Sequence, residues 1–350
     1  MDKKDLLSWD IPALRVLLSE WGEPNYRAQQ LFTWFQQKGV TDFAAMSNLP
    51  LSLQKRLSEE TVAYMPKIAR RQDAGDTIKL LLTLADGEQI ETVLMLYKRQ
   101  NSRDRATCCV STQSGCAMGC VFCASGFFKY PRNLSAGEMI AQVLLSATLG
   151  QELGYSGISN VVFMGMGEPL ANLTNIKQTI ELLNNEQGQN IGLRRITIST
   201  CGLTPQIYKL ADWGKQIGLA VSLHAADQEK RARLMPVAKH YTLPELLAAC
   251  RYFRAKTGRR VTMEYALFAG INDSKRDAEQ LATLLADQNV LVNIIPANTV
   301  IEAGICASNR ELIEIFCAIL QRKGLEVVLR ERRGAEIEAA CGQLRKPLNK

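Results

Sequence analysis

Two spacings of apolar residues divide the chain. Up to about residue 60, apolar residues recur at intervals of three and four, a pattern that predicts amphipathic helices. The helical segments read SWDIPALRVLLSEWG, YRAQQLFTWFQQKGV and LPLSLQKRLSEE. Gly22 and Pro24 separate the first two segments, as expected of residue types that end helices.

The spacing changes over residues 61–98. The segment TIKLLLTLADGEQIETVLML predicts two strands joined at Asp86-Gly87, because this dipeptide is suited to a tight hairpin turn. A polar segment, YKRQNSRDR, then leads into the rest of the chain.

From about residue 105, strand patterns alternate with helical patterns. The predicted strands are ATCCVST, SNVVFMG, RITIST, GLAVSLH, VTMEYALF, VLVNIIPA and LEVVLRE, and helical patterns such as AGEMIAQVLLSATL, LPELLAACRYFRA and DAEQLATLLADQ lie between them. This alternation predicts an α/β fold in which helices cover parallel strands. Six or seven such units favour a barrel or partial barrel over a small open sheet. The active site should then lie at the carboxyl ends of the strands.

Composition narrows the class of protein. The chain has 350 residues, 47% of them hydrophobic, which is enough for a large core and an accessory module. No apolar run reaches about 18 residues, so no membrane span is predicted. The start, MDKKDLLSWD, lacks the apolar segment of a secretion signal, and ten cysteines without such a signal favour a reducing, cytoplasmic location. The net charge of +7 permits a polyanionic partner without establishing one.

Three cysteines stand close together in GCAMGCVFCASG, directly after the first of these strands. They are Cys116, Cys120 and Cys123, and Gly115 and Gly119 let the backbone turn tightly around a bulky group. A structural zinc ion would need a fourth ligand, which this segment does not offer. Three thiolates suit a [4Fe–4S] cluster with one iron open to a small molecule. The segment resembles the signature of radical S-adenosylmethionine enzymes, with zinc binding and scattered core cysteines as the alternatives.

Segments throughout the chain resemble the RlmN/Cfr family of RNA methyltransferases, in the family's order. They are GEPNYRAQQLFTWFQQKGVTDFAAMSNLP, IETV, RATCCVSTQSGCAMGCVFCASG, NVVFMGMGEPLAN, RRITISTCG, SLHA, RLMP, INDS and AACGQLR. The resemblance implies a partial (β/α) radical-SAM barrel with an N-terminal helical accessory domain. It also implies a [4Fe–4S] cluster on the three cysteines and two molecules of S-adenosylmethionine per turnover.

The family's reaction gives roles to three further residues. Adenine carbons C2 and C8 are electron-poor and cannot readily attack a sulfonium methyl group, so a carbon radical is needed. The resemblance implies that Cys341, in AACGQLR, first takes a methyl group as a thiolate nucleophile. A 5′-deoxyadenosyl radical then removes a hydrogen from this methyl, and the methylene radical joins the base. Cys109 maps to the cysteine that resolves the protein–RNA link by forming a disulfide, and Glu91 to the general base.

Spacing alone does not distinguish Cys108 from Cys109 as the resolving cysteine. Successive strand side chains point to opposite faces, so only one of the two can face the site, and the family register favours Cys109. Four other cysteines are interpreted as packing residues: Cys201, Cys250, Cys306 and Cys317.

The segment GMGEP follows the strand pattern VVFM, where its glycines allow a close backbone approach. Gly167 and Glu168 are the expected contacts of the amino group of S-adenosylmethionine, although a G-x-G alone is a weak signal. The family pattern adds further S-adenosylmethionine contacts, each at or just after a predicted strand end. These are Ser199, Ser222, Leu223, His224 and Asn298.

The resemblance also implies a division into four parts. Residues 1–75 form a helical RNA-binding accessory domain and residues 76–101 a β-hairpin linker with Glu91. Residues 102–330 form the radical-SAM core, and residues 331–350 a C-terminal segment with Cys341.

The implied substrate is C2 of an adenine in the peptidyl-transferase region of 23S ribosomal RNA, with an anticodon-loop adenine of transfer RNA as the second. The implied electron donor is external, such as flavodoxin or ferredoxin. C8 methylation, as in Cfr, is the alternative within the family, and a non-catalytic Fe–S or zinc RNA-binding protein is the alternative from another class. The cations expected to face phosphates are Arg194-Arg195, Lys230-Arg231-Arg233, Arg259-Arg260 and RERR at 330–333.

Overall fold

The computed structural model describes residues 3–98, 104–127, 132–297, 305–330, 335–337 and 342–344. Two predicted site residues, Asn298 and Cys341, lie outside these ranges. None of the helices in the described ranges combines the length and the apolar character that a bilayer crossing requires.

Three helices form the N-terminal part, as the apolar spacing predicts. They are α1 (Ile11–Glu20), α2 (Tyr26–Gln36) and α3 (Leu51–Glu60). The Asp10 carboxylate caps α1 by accepting the main-chain N–H of Ala13 at 2.9 Å. Leu14, Phe32 and Leu57 are fully buried, so the apolar stripes of the three helices share one core. A short parallel pair, β1 (Lys4–Asp5) with β2 (Thr61–Val62), joins the two ends of this part.

Within the described residues, a sheet of ten strands forms the centre of the molecule. In chain order the strands are β3 (Lys67–Ala74), β4 (Thr77–Thr83), β5 (Gln89–Tyr97), β6 (Arg105–Cys109), β7 (Asn160–Phe163), β8 (Ile196–Thr200), β9 (Gly218–Ser222), β10 (Thr262–Leu267), β11 (Leu291–Pro296) and β12 (Glu326–Leu329). Each strand pairs with its neighbour in the chain. The pairs from β3 to β6 are antiparallel, and the pairs from β6 to β12 are parallel.

All seven strands predicted after residue 105 are present, and the predicted hairpin is β4–β5. Gly87 in its turn has φ +83°, which glycine adopts without strain. Strand β3 was not predicted because its sequence, KIARRQDA, is polar and mostly exposed. The hairpin is continuous with the main sheet, whereas the four domain boundaries stay a prediction.

Helices connect the parallel strands. They are α4 (Ala136–Glu152), α5 (Leu173–Asn184), α6 (Thr204–Asp212), α7 (Gln228–Leu234), α8 (Leu243–Thr257), α9 (Lys275–Leu285) and α10 (Arg310–Arg322). Helix α4 packs on β5 and β6, and α10 packs on β12, so they cover the outer side of the sheet. Within the described ranges the terminal strands β3 and β12 do not pair with each other. The predicted partial barrel is therefore confirmed.

The pairing register sorts the strand side chains into two faces. Lys79, Val93 and Cys109 are direct neighbours across β4, β5 and β6. The register continues this face through β7 and β8 to Ser222 and Glu264, which are neighbours in β9 and β10. Facing residues in paired strands point to the same side of a sheet. We call this side the inner face.

Candidate active site

A cavity that is partly open to solvent lies where the parallel strands end. Residues at the carboxyl ends of five strands, β7 to β11, line it together with the loop that follows β6. This is the edge at which an α/β barrel is expected to keep its chemistry.

Cys116, Cys120 and Cys123 all line this cavity. Their loop is held by the main-chain N–H of Val121, which donates to Leu234 O of α7 at 3.0 Å. Burial raises the pKa of the Cys116 thiol to about 12, and the pKa of Cys120 is also well above the ordinary value. Repulsion between the three thiolates raises both values further, so bound cations are needed to keep the set ionised.

The three thiols agree with the donor set of a cluster. In a cubane each thiolate binds a different iron, and three protein thiolates leave one iron open to a small molecule. Cys116, Cys120 and Cys123 share one cavity, so they fit a [4Fe–4S] cluster with an open iron.

The glycines of GMGEP allow two backbone segments to approach each other. A Cβ on Gly165 would lie 2.7 Å from Ser111 N, and one on Gly167 would lie 2.6 Å from Gln113 Cβ. Gly167 also has φ +101°, which side-chain-bearing residues rarely adopt. The segment after β7 is thereby packed against the segment after β6 that leads to the cysteines.

Glu168 joins the ends of β7 and β8. Its carboxylate accepts the main-chain N–H of Leu170 at 3.0 Å and that of Cys201 at 2.8 Å, and it lines the cavity. Burial raises its pKa, although these hydrogen bonds oppose the rise. The Thr200 hydroxyl and the Cys201 thiol also donate to this carboxylate, so four donors from the ends of β7 and β8 hold it in place.

His224 follows β9 in a left-handed backbone conformation, with φ +55°. Its carbonyl accepts from Asn272 Nδ2 at 2.7 Å, which helps to hold this strained backbone. The ring lines the cavity and contacts the ring of Phe122, in the cysteine loop, edge to face at 4.7 Å between centroids. Burial, and to a lesser degree the charge of Arg231, lowers its pKa to about 3.

The other predicted S-adenosylmethionine contacts fall into two groups. Ser199 and Ser222 line the cavity from the ends of β8 and β9. The Leu223 side chain is fully buried in the core, and its main-chain N–H donates to Glu264 O at 2.9 Å.

Glu91 and Cys109 lie on the inner face in neighbouring strands. Cys109 faces Val93, and Glu91 is two residues from Val93 along β5. Cys108 lies on the opposite face, where its thiol donates to Ser146 Oγ of α4 at 3.3 Å. Burial raises the pKa of Cys108 to about 11, so this thiol is inert.

Glu264 is a cavity residue that we did not predict from the sequence. It is buried, and its carboxylate accepts from Asn293 Nδ2 at 2.7 Å. Burial raises its pKa, while the positive charge of Arg330 opposes the rise. A glutamate inside the apolar strand pattern VTMEYALF is the sequence signal that could have identified Glu264 as a site residue, because a buried carboxylate needs polar partners.

The interpretation of Cys306 as a packing residue is wrong, whereas Cys201 is buried in a hydrophobic cluster, in agreement with packing. Cys201 lines the cavity, and its thiol donates to the Glu168 carboxylate. Cys306 is exposed. Cys250 is buried, in agreement with packing, and Cys317 is partly buried.

The expectation that Arg231 faces phosphates is also wrong. Its side chain is fully buried, and its guanidinium donates to Cys201 O at 2.7 Å and to Leu223 O at 3.2 Å. Arg231 therefore joins α7 to the ends of β8 and β9. By contrast, the side chain of Arg233, two residues further along α7, is 83% exposed.

Comparison with known proteins identifies the family. Residues 110–282 match the model of the radical SAM superfamily, and residues 4–63 match the model of the "ribosomal RNA large subunit methyltransferase N-terminal domain". A "probable dual-specificity RNA methyltransferase RlmN" from Heliobacterium modesticaldum is 45% identical over 95% of this chain and 87% of its own length. The chain belongs to the RlmN family. A relative with the same name from Clostridium perfringens is 44% identical over 98% of this chain and 97% of its own length.

A solved structure supports the fold over nearly the whole chain. The radical SAM methyltransferase from Sphaerobacter thermophilus superposes with a TM-score of 0.93 at 42% identity, covering 98% of this chain and 99% of its own. Membership of the radical SAM superfamily implies a [4Fe–4S] cluster and S-adenosylmethionine. The three cavity cysteines fit the first, and the polar wall formed by Glu168, Ser199 and Ser222 fits the second.

Proposed function

We propose that this chain is a radical S-adenosylmethionine RNA methyltransferase. Its substrates are C2 of an adenine in the peptidyl-transferase region of 23S ribosomal RNA and an anticodon-loop adenine of transfer RNA. The relatives at 44–45% identity are named as dual-specificity RNA methyltransferases, which supports two RNA substrates. The observation that carries the proposal is that a three-cysteine cavity lies at the edge of the sheet whose inner face presents Cys109 and Glu91.

The cysteines of the loop would hold the cluster, and the ends of β7, β8 and β9 would hold S-adenosylmethionine. When bound, the cluster supplies the electron that cleaves S-adenosylmethionine and so makes a hydrogen-abstracting fragment available. Glu168 accepts the ammonium group, and Ser199, Ser222, His224 and Asn298 contact the rest of the cosubstrate. His224 stays neutral, because its pKa of about 3 is far below working pH.

Three residues carry the methyl group and the protons. The Cys341 thiolate accepts a methyl group and presents it to the adenine. After the methylene carbon has joined the ring, the adduct is a radical that gives up one electron, for which the cluster would be the acceptor, and Glu91 accepts the proton that leaves the ring carbon. The Cys109 thiolate then attacks Cys341 Sγ. The S–S bond forms, the S–CH2 bond breaks, and a proton completes the new methyl group.

The proposal also includes the binding partners of the chain and its location in the cell. Exposed cations such as Arg233 face the RNA phosphates, and the adenine leaves its stack to reach the cavity. An external one-electron donor of the flavodoxin or ferredoxin type reduces the cluster. RNA substrates and this many thiols favour the cytoplasm.

Mass spectrometry of ribosomal and transfer RNA from a deletion strain tests this function. We expect the strain to lack a C2-methylated adenine in both RNAs, and the wild-type gene to restore it. A gene with Cys341→Ala should restore nothing, and one with Cys306→Ser should restore both, because Cys306 is exposed and outside the cavity. Loss of a C8 methyl group instead would overturn the position, and unchanged RNA would overturn the function.

A further inference from the structure

A buried ion pair joins two neighbouring strands on the inner face. Lys79 Nζ of β4 lies 3.0 Å from Glu91 Oε1 of β5, and the two side chains are 5% and 8% exposed. Both belong to otherwise apolar strands, TIKLLLT and QIETVLMLY. A lysine is almost never this buried unless it is paired, so the pairing with Glu91 explains why Lys79 is tolerated there.

The ion pair lies in the same part of the inner face as Cys109. Lys79 faces Val93 of β5, and Val93 faces Cys109 of β6, so the three are consecutive neighbours across the sheet. Glu91, two residues before Val93, is a diagonal neighbour of Cys109, at a typical Cβ separation of roughly 7–8 Å. The resolving thiol and the proton acceptor of the proposed reaction therefore lie close together on the inner face.

The backbone of Glu91 is fixed to the edge of the sheet where the cavity lies. Its carbonyl accepts from Ser111 Oγ, just after β6, and its N–H donates to Met166 Sδ, in the GMGEP segment, at 3.4 Å. Ser111 Oγ also accepts the main-chain N–H of Met166 at 2.9 Å. Because β5 is antiparallel to β6, its first residues meet the carboxyl ends of the parallel strands. The main chain of Glu91 is thus fixed independently of Lys79, which leaves the carboxylate as the group that Lys79 controls.

We propose that Lys79 is a positioning residue for Glu91 in the methylation reaction. The inference rests on the proposed function, in which Glu91 accepts a proton. The Lys79 ammonium donates to Oε1, which holds the carboxylate in one orientation and stabilises its ionised form in a place where burial alone favours the neutral acid. Only the ionised form accepts the proton. In that step, once the radical adduct has given up one electron, for which the cluster would be the acceptor, the C–H bond of the joined ring carbon breaks, its electron pair stays in the ring, and the proton moves to a carboxylate oxygen.

The proposal predicts which step fails when Lys79 is changed. Methyl transfer to Cys341 and cleavage of S-adenosylmethionine precede proton removal, so Lys79→Met should leave both within about twofold of wild type. Proton removal follows formation of the RNA link, so the RNA-linked protein should accumulate about tenfold or more, as expected for loss of a general base's efficiency. A purely structural ion pair predicts that all three quantities fall together.

The experiment is a single-turnover assay of the full-length, anaerobically reconstituted protein with transfer RNA and ribosomal RNA from the deletion strain. Intact-protein mass spectrometry measures methylated Cys341, chromatography measures 5′-deoxyadenosine, and denaturing gels measure RNA-linked protein. Leu80→Ala is the matched control, since Leu80 is the fully buried neighbour of Lys79 on the opposite face of β4. It weakens the same strand without touching the ion pair.

Two more variants keep the proposal testable if Lys79→Met unfolds. Lys79→Arg keeps the charge and should return the RNA-linked fraction towards wild type. The double variant Lys79→Met/Glu91→Gln buries no unpaired charge and should accumulate as much RNA-linked protein as Glu91→Gln alone, because the two residues act as one unit.

The outcomes separate this proposal from the one on which it rests. If Glu91→Gln accumulates RNA-linked protein and Lys79→Met behaves like Leu80→Ala, the role of Lys79 is overturned and that of Glu91 stands. If the amount of RNA-linked protein in the double variant differs about tenfold from that in Glu91→Gln, Lys79 acts separately from Glu91. That result also overturns the positioning role of Lys79. If Glu91→Gln gives no RNA-linked protein while methylated Cys341 forms, the role of Glu91 fails, and the positioning role fails with it.

Discussion

The main-chain N–H of Ala266, in β10, donates a hydrogen bond of 2.9 Å to Nδ1 of His224, after β9. A nitrogen that accepts carries no proton, so neutral His224 has its proton on Nε2. The bond selects one tautomer and opposes the charged form, in which both nitrogens are donors. Burial acts in the same direction and is the main cause of its low pKa.

The low pKa of His224 predicts how stability depends on pH. An unfolded histidine takes up a proton near pH 6.5, whereas folded His224 does so only near pH 3. Between these values protons favour the unfolded chain, so the contribution of His224 is full above about pH 6.5 and declines as the pH falls. The free energy of unfolding of apo wild type should fall by about 2 kcal/mol more than that of His224→Gln between pH 6.5 and pH 5. Urea titrations at both values measure it, and equal losses in the two proteins would contradict it.

The close approach at Gly167 predicts a large effect of a single methyl group. Gly167→Ala should lower the free energy of unfolding by about 3 kcal/mol or more. The cost of a left-handed backbone adds to the cost of a 2.6 Å clash between the new Cβ and Gln113 Cβ. Gly154→Ala is the control, since Gly154 has φ +84° but nothing within 4 Å of an added Cβ, and it should lose about 1–2 kcal/mol. Urea midpoints compare the two variants. A loss at Gly167 no larger than that at Gly154 would mean that the two backbone segments can move apart.

The three cavity thiols predict the metal content of cysteine variants. Cys120→Ala should lose most of its iron and its visible absorption after anaerobic reconstitution, because the cubane would lose one of its three protein ligands. Cys306→Ser should keep both, because Cys306 is exposed. Iron analysis and absorption spectra provide the measurement. Stoichiometric zinc in wild-type protein, with no iron uptake, would rule out the cluster.

Arg231 and Arg233 should give opposite results although they are two residues apart. Arg231→Met removes the buried hydrogen bonds that the guanidinium donates to Leu223 O and Cys201 O. The free energy of unfolding should fall by about 2–4 kcal/mol. Arg233→Ala should change stability by less than about 0.5 kcal/mol but weaken RNA binding and reduce its salt dependence by about one charge. Urea unfolding and RNA binding at several salt concentrations separate the two. Unchanged RNA affinity in Arg233→Ala would remove this residue from the interface.

Much of the fold could be predicted from local patterns. The seven parallel strands, the three N-terminal helices and the β4–β5 hairpin follow from apolar periodicity and turn residues, which act over a few positions. Strand β3 has no such pattern, because it is an exposed edge strand that pairs with β4 alone among the described residues. The cysteine loop could also be predicted from the sequence, since its three thiols lie within eight consecutive residues.

The sequence by itself determined most of the element types, the alternation of strands with helices and the set of thiols, because each depends on residues close together in the chain. Only the tertiary structure decided that Lys79 pairs with Glu91, that Arg231 is buried while Arg233 is exposed, and that Glu264 and Cys201 reach the cavity. These outcomes depend on strand register and on which face of an element is covered. Contacts such as that of Gly167 with Gln113, on two different strand ends, form only when the whole sheet is assembled.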